Sequence, residues 1–595
     1  MPSYQAPLRD MRFCLYDVFD GDQLSSWPGY EDFGRDLIDP VLDEAAKLCE
    51  EVLHPLNRSG DEEGCTFDNG EVRTPKGFRE AYALFRDGGW TSIACDPEYG
   101  GQGLPAVVNT LIEEMICSSN LSFGMYPGLS HGAYVSLSAH GSDALKAKYL
   151  PKLVDGTWSG TMCLTEPHCG TDLGLLRTAA IPRADGTYAI TGTKIFISAG
   201  EHDLTENILH LVLAKIPGGP KGVKGISLFL VPKFFVDDEG SLGARNAVAC
   251  GSIEHKMGIK ASATCVMNFD GATGWLIGEP HKGLRAMFAM MNTERLAVGV
   301  QGLGLGEASR QNAVIYAKER IQMRSLSGAK APDKAADPII VHPDVRRMLL
   351  TQKAWVEGCR ALAVWTALSL DRSRRHPDAE TRREAEDLVA LLTPVVKALM
   401  TDMGSEVANL GVQVFGGHGY IREHGQEQYV RDARIAQIYE GTNGIQALDL
   451  VGRKMPEGAG RLLRRFFHPV QAYVEAKIED EAMADFVQPL AKTFVRLQQA
   501  TAQVARVSLA RPDEAGAASV DYLRLFGMTA LAYLWCRMVE VARAKIAAEG
   551  SDPYYEGKIA TARFYMERVL PETNARFAAI MAGGRSMMEF PDEAF

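Results

Sequence analysis

The period of the apolar residues changes twice along this chain, and that limits its fold more than any other feature. From about Asp39 to Leu150 apolar residues recur at helical spacing, as at Val41, Ala45, Leu48 and Val52. The Gly- and Pro-rich loop IACDPEYGGQGLPA (93–106) interrupts that run, and the pattern resumes over Val107–Cys117 and again from Gly132. Between Thr161 and about Glu279 the signal becomes strand-like. The runs YAITG, KIFIS, ILHLVLAKI, ISLFLVP and ATCVMNFDG are β-branched and aromatic, and turn residues separate them, including an Asp185-Gly186 hairpin signal. From Leu284 the spacing is helical once more. A helix is expected from Pro343, with Asp344 in its first turn, followed by runs over 383–410 and 426–439. Beyond Lys454, further helical runs cover 460–509, 517–549 and 553–582. The expected fold is therefore mainly α with a central β domain, an α–β–α order, plus an additional C-terminal helical bundle. The expected boundaries are an extension at 1–35 with short helical pieces, a helical domain at 36–160, a middle β domain at 161–284, a helical domain at 285–455 and the added helices at 456–595. A chain of 595 residues has length for several cores.

Charge and cysteine usage exclude some classes of function. The formal net charge of −12 argues against nucleic acid or an anionic membrane as the main partner. Eleven cysteines lie scattered without a C-x-x-C pair, which fits a reducing cytoplasm. Cys163, Glu166, His168 and Cys169 form the densest set of potential metal ligands, but no second pair stands at ligand spacing, so no metal is expected. The segment MPSYQAPLRDMRFCLYDVF carries charges and has no apolar core, so it is not read as a signal peptide. No run of eighteen apolar residues occurs, and no membrane span is expected.

The stretch QIYEGTNGIQ (437–446) ends a long helical run. Gly441 and Gly444 break the pattern, and Thr442 and Asn443 favour caps and turns. Glu440 thus sits on a tight turn beside Tyr439. A carboxylate held partly out of water there has its pKa pushed upward and can serve as a general base. Two other motifs compete for attention. GLSHG (128–132) satisfies the G-x-S-x-G pattern of a serine nucleophile, but Pro127 precedes it and no strand leads into it. GVQGLGLG (299–306) is Gly-rich like a dinucleotide loop, yet lies within a helical pattern, where close helix packing is the better account.

Four local signatures stand in order along the α–β–α layout: PEYGGQG (97–103), CLTEPHCGTDLG (163–174) with TGTKIFISAG (191–200), QVFGGHGYIREHG (413–425) and IYEGTNGIQ. Together they resemble the acyl-CoA dehydrogenase family over roughly residues 35–455. The resemblance implies an FAD enzyme that oxidises an acyl-CoA thioester to the trans-2-enoyl-CoA. In it Glu440 takes the α proton, and the backbone N–H of Glu440 steadies the thioester oxygen. It further implies that Leu164, Thr165, Gly170, Thr171, Phe196 and Ser198 meet the isoalloxazine ring. Phe196 stands where relatives often carry Trp. Arg320, Gln413, Gly416 and Gly417 would meet the FAD pyrophosphate across a subunit interface, and Thr442 would touch FAD after the base. Asn292, Arg295, Tyr439 and Gly441 would lie by the substrate. Electron-transferring flavoprotein is the implied electron acceptor, whereas an acyl-CoA oxidase would reduce O₂ directly.

The sequence departs from the family pattern at Cys169, Leu175 and Gln428. Glu294 occupies a position at which some relatives carry their base, so both base positions hold Glu here, and the intact I-Y-E-G-T context favours Glu440. The extensions at both ends resemble a long bacterial branch that includes enzymes for fatty acyl-CoA and for 3-(methylthio)propanoyl-CoA, and that branch tends towards homodimers.

Overall fold

Strands that bury both faces read as nearly continuous apolar runs, and two of them form the centre of the sheet: Asn207–Lys215 and Ile226–Pro232 are buried along nearly their whole length. The computed structural model describes residues 2–595, with the side chains of Ala289 and Asn292 outside the described set. It separates the chain into two compact units. One comprises Lys47–Leu104 and Ser119–Ala297, and the other Met1–Ala46, Pro105–Ser118 and Val298–Phe595.

The first of these units holds a seven-stranded sheet whose pairings close on themselves. Thr264–Ile277 pairs antiparallel with Tyr188–Ser198 along most of its length and with Ile226–Pro232 at its end. Ile226–Pro232 pairs antiparallel with Asn207–Lys215, which lies parallel both to Trp158–Cys163 and, at one residue pair, to Ala179–Pro182. Ala179–Pro182 returns antiparallel to Tyr188–Ser198 through the Asp185-Gly186 turn, as that dipeptide suggests. Val248–Ile253 adds to the outer side of Thr264–Ile277. YAITG and KIFIS, two runs by sequence, form the single strand Tyr188–Ser198. Its register slips around Phe196, which takes a left-handed φ of 59°. An extra residue of this kind kinks the strand and re-aims its side chain.

Two features depart from the expected pattern. Thr66–Asp68 and Glu71–Arg73 form a hairpin within the expected helical domain, turning at Asn69 and Gly70, both at positive φ (50° and 87°). The Ala106–His140 helix is broken at one residue rather than over the fourteen (118–131) that separate its two helical patterns in the sequence. Asn120 there has φ −160° and ψ 86°. Its Oδ1 accepts from the Phe123 N–H at 3.1 Å, capping the following half, and its Nδ2 donates to the Leu53 carbonyl at 3.2 Å.

The other unit is helical. Gly299, Gly302, Gly304 and Gly306 on the Gly283–Glu319 helix face neighbouring helices, so the G-x-G-x-G spacing serves packing. A Cβ on Gly302 would stand 2.4 Å from the Met400 carbonyl oxygen, and one on Gly404 would stand 2.2 Å from the Gly302 oxygen. Pro343–Arg375 begins where its proline and Asp344 predict. The 460–509 run divides into Arg461–Lys477 and Ala484–Ser508, with Asp480 accepting from the Ala482 N–H at 3.0 Å between them. Pro512–Glu549 and Pro553–Phe564 follow, then Thr573–Ala582.

A buried ion network joins the N-terminal extension and the added helices to this core. Arg360, 1% exposed, meets Asp10, Glu114 and Glu307, the last at 2.9 Å. Lys558 meets Asp10 and, at 2.8 Å, Glu357. The helical segments 379–420 and 512–549 are long and apolar enough to cross a membrane by composition, and 72% and 83% of their most apolar windows are buried within the protein.

Candidate active site

Glu440 lies on the turn between the helix Gln426–Arg434, with its 3₁₀ extension Ile435–Gln437, and the helix Asn443–Asp449. It is half-buried and has φ 57°, a left-handed conformation uncommon for a side-chain-bearing residue. Gly441 follows at φ 85°. Thr442 caps the next helix, its Oγ1 accepting from the Ile445 N–H at 3.3 Å. Gln446 Nε2 donates back to the carbonyl oxygens of Glu440 (3.0 Å) and Gly441 (3.3 Å). The Tyr439 hydroxyl donates to Gln301 Oε1. Backbone strain of this kind persists where surrounding bonds hold it, and it concentrates at functional positions.

In the same unit, the Gln413–Gly417 stretch and Arg320 are brought to one corner. The rings of Tyr316 and Phe415 stack with centroids 4.1 Å apart, and the Tyr316 hydroxyl meets His418 Nδ1 at 2.8 Å. Arg320 follows that helix by one residue and is exposed, as are Gln413, Gly416 and Gly417. Gly416 has φ 60° and ψ −139°, which a side chain would resist, and a Cβ at either glycine would have no atom within 4 Å. Open glycine backbone beside an arginine suits a phosphate group.

The sheet unit holds the ring-facing candidates. The segment after Trp158–Cys163 is bound to Tyr188–Ser198 by the Ile195 N–H, which donates to the Thr165 carbonyl at 2.9 Å. Leu164 and Thr165 therefore lie next to Phe196, while Ser198 pairs in register with Thr264. Phe196 is 59% exposed, Gly170 and Thr171 are exposed, and Leu164, Thr165 and Ser198 are half-buried. An exposed aromatic face at a strand bulge, with hydroxyls and loop backbone around it, fits a flat heteroaromatic ring.

Behind this loop sits a charge pair that the sequence reading missed. Glu166 is 3% exposed and Lys194 0%. Lys194 Nζ donates to Glu166 Oε1 at 2.9 Å and to the Leu164 carbonyl at 3.0 Å. Thr178 adds its N–H (3.0 Å) and hydroxyl (2.6 Å) to the same oxygen, and the Arg177 N–H reaches the other at 2.8 Å. Burial pushes the carboxyl up, but the Lys194 charge and these hydrogen bonds outweigh it and bring the pKa down to about 2. The carboxylate first weighed as a metal ligand is instead a brace for the loop.

Glu294 and Arg295 are each 7% exposed on the Gly283–Glu319 helix. A Cβ on Gly132 would stand 2.5 Å from Glu294 Oε1, so this glycine, the last of GLSHG, makes room for the carboxylate. Ser130 of that motif lies inside a helix, its hydroxyl donating to Tyr126 O at 3.0 Å and accepting from the Gly160 N–H at 3.1 Å. It has no nucleophile-elbow geometry. The Asn292 side chain lies outside the described residues.

The family models match this layout in order. The model for the acyl-CoA dehydrogenase N-terminal domain matches residues 39–157, the middle domain 161–272 and the C-terminal domain 281–455. The chain belongs to the acyl-CoA dehydrogenase family. A further model, described as acetyl-CoA dehydrogenase C-terminal like, matches residues 466–591. Among curated proteins, this acyl-CoA dehydrogenase is 44% identical to the 3-methylmercaptopropionyl-CoA dehydrogenase of Ruegeria pomeroyi, over 98% of this chain and 99% of the relative. It is 35% identical to a butyryl-CoA dehydrogenase of Syntrophomonas wolfei, over 100% and 99%. Its fold is shared with the acyl-CoA dehydrogenase of Bacillus anthracis solved with FAD, with a TM-score of 0.74 and 22% identity over 95% of this chain and 90% of that one. As a member of this family, the enzyme is an oxidoreductase that dehydrogenates acyl-CoA.

Proposed function

We propose that Glu440 is the base that removes the α proton of an acyl-CoA thioester, yielding the trans-2-enoyl-CoA. The observation that carries this reading is the left-handed backbone of Glu440, a half-buried carboxylate held by bonds on both sides of it. Proton removal at Cα needs a base at fixed distance from the reacting carbon, and a clamped turn supplies one. The Glu440 N–H supports the thioester oxygen as negative charge gathers there. FAD, when bound, supplies the acceptor for the β hydride. Leu164, Thr165, Gly170, Thr171, Phe196 and Ser198 would hold its ring. Arg320, Gln413, Gly416 and Gly417 would hold the pyrophosphate of a partner subunit's FAD in a homodimer, and Thr442 would touch the cofactor beside the base. Asn292, Arg295, Tyr439 and Gly441 would line the acyl-CoA path, with electrons passing to electron-transferring flavoprotein in the cytoplasm.

For the substrate, we favour a short acyl chain bearing a thioether, 3-methylmercaptopropionyl-CoA. The support is the 44% identity to an enzyme of that name against 35% to a butyryl-CoA dehydrogenase. The base is tested with Glu440→Gln and Glu294→Gln holoenzymes mixed anaerobically with substrate. Glu440→Gln is expected to keep its flavin and lose flavin reduction. Reduction retained in Glu440→Gln and lost in Glu294→Gln would move the base to Glu294.

A further inference from the structure

Lys397 interrupts the most apolar part of the Ala379–Phe415 helix, between Val396 and Ala398, and is fully buried at 0% exposure. An ammonium taken out of water is costly unless several acceptors surround it. Its Nζ donates to the Gly441 carbonyl oxygen at 2.9 Å and to Asn443 Oδ1 at 2.8 Å. Both acceptors belong to the turn that carries Glu440, one and three residues beyond it.

The same helix face holds the other side of the turn. Asn443 Nδ2 donates to the Ala398 carbonyl (3.2 Å), Thr401 Oγ1 (3.0 Å) and Asp402 Oδ1 (2.7 Å). Asp402 Oδ1 also accepts from Gln437 Nε2 at 2.7 Å, ahead of the base. Residues 397, 398, 401 and 402 share one helix face. They fasten the turn at Gln437, Gly441 and Asn443, while Tyr439 is tied to Gln301 and Gln446 straps the carbonyls from inside. Glu440 lies midway between these fixings, at the strained φ.

We infer that Lys397 is a positioning residue for this enzyme's reaction: through the Gly441 carbonyl and Asn443 it sets where the Glu440 carboxylate and N–H stand. The inference rests on the reading of Glu440 as the base. Lys397 touches neither substrate nor cofactor in it. With the ammonium gone, the Gly441 peptide loses the bond that fixes its plane, and Glu440 can relax out of the left-handed region.

The test uses Lys397→Met holoenzyme, with flavin content, melting temperature and the anaerobic rate of flavin reduction measured at rising concentrations of the acyl-CoA that bleaches the native enzyme. A displacement of about 1 Å at a reacting group costs on the order of 100-fold in rate. The expected result is a loss of about that size in the limiting rate per bound flavin, with the half-saturating substrate concentration unchanged. A merely structural lysine would lower melting temperature and flavin content and leave the rate per bound flavin intact, and that result overturns the inference. Asn443→Ala, which removes one acceptor of Lys397 and three bonds of the turn, is measured in parallel in case Lys397→Met does not fold. It is expected to lose on the order of 10-fold in the same limiting rate, and a native rate per flavin overturns the inference. Glu440→Gln separates the two claims. If it is inactive while Lys397→Met reduces at the native rate, the base stands and the positioning role falls; if it reduces normally, both fall.

Discussion

Replacing Lys194 by Met would strip the loop that carries Leu164 and Thr165 of its buried cation. Glu166 would keep its bonds from Thr178 and Arg177 and lose the ammonium at 2.9 Å. A carboxyl held at about 2 against a reference of 4.5 corresponds to about 3 kcal/mol in favour of its charged form, from which the burial that lowers the Lys194 pKa subtracts. Because the folded-state pKa is depressed, that contribution is complete above about 4.5 and is lost as the pH falls from there towards 2. In Lys194→Met burial acts on Glu166 without its counter-charge, and the pKa moves up. The variant should therefore be less stable than the native enzyme by about 3 kcal/mol at pH 7, with the gap narrowing as the pH falls below the raised Glu166 pKa of the variant. The Leu164 carbonyl loses its 3.0 Å bond in the same change, so flavin content should fall as well. The assay is urea denaturation at pH 7 and pH 4 of Lys194→Met, Glu166→Gln and the double variant. Removing both partners should recover much of the loss, because no uncompensated charge remains buried. A coupling below about 0.5 kcal/mol, or a gap that widens on acidification, would refute the brace.

Four other substitutions test the packing and the chemistry. Gly302→Ala puts a methyl 2.4 Å from the Met400 oxygen and should destabilise by about 1–3 kcal/mol in denaturant melts, whereas Gly557→Ala, on an open helix position with no atom within 4 Å, should stabilise by about 0.5–1 kcal/mol. Arg360→Met leaves Asp10, Glu114 and Glu307 buried without their shared cation and should cost about 3–5 kcal/mol, read as a lowered melting temperature. Ser130→Ala removes a hydroxyl that bridges Tyr126 and Gly160; it should cost about 1 kcal/mol of stability and leave the rate per bound flavin unchanged, whereas loss of turnover at normal flavin content would revive the nucleophile reading.

Much of the layout was readable because each period belongs to one kind of element. Ile226–Pro232 was marked by a run of β-branched and aromatic residues, and the helix at Pro343 by its starting proline. The glycines of 299–306 were readable as packing because a helical pattern surrounds them. Asn69-Gly70 carried the hairpin signal, but the strands on either side are three residues long and too short to show alternation. The Asn120 break was hidden because one capping residue does what a loop would otherwise do. Glu440 could be singled out from its turn, whereas its left-handed backbone depends on Lys397, Gln301 and Gln446, which the fold brings from 43, 139 and 6 positions away in the chain. Glu166 was weighed only as a potential metal ligand, because its partner Lys194 lies 28 residues on and is brought to it by the fold rather than by local spacing.

The most direct measurement is an anaerobic titration of the purified enzyme with a panel of acyl-CoAs, following the oxidised-flavin absorbance. Full bleaching by 3-methylmercaptopropionyl-CoA, with weaker bleaching by straight-chain acyl-CoAs of similar length, is the predicted result. Folded protein that carries no flavin, or a flavin that no acyl-CoA in the panel bleaches, would contradict the account.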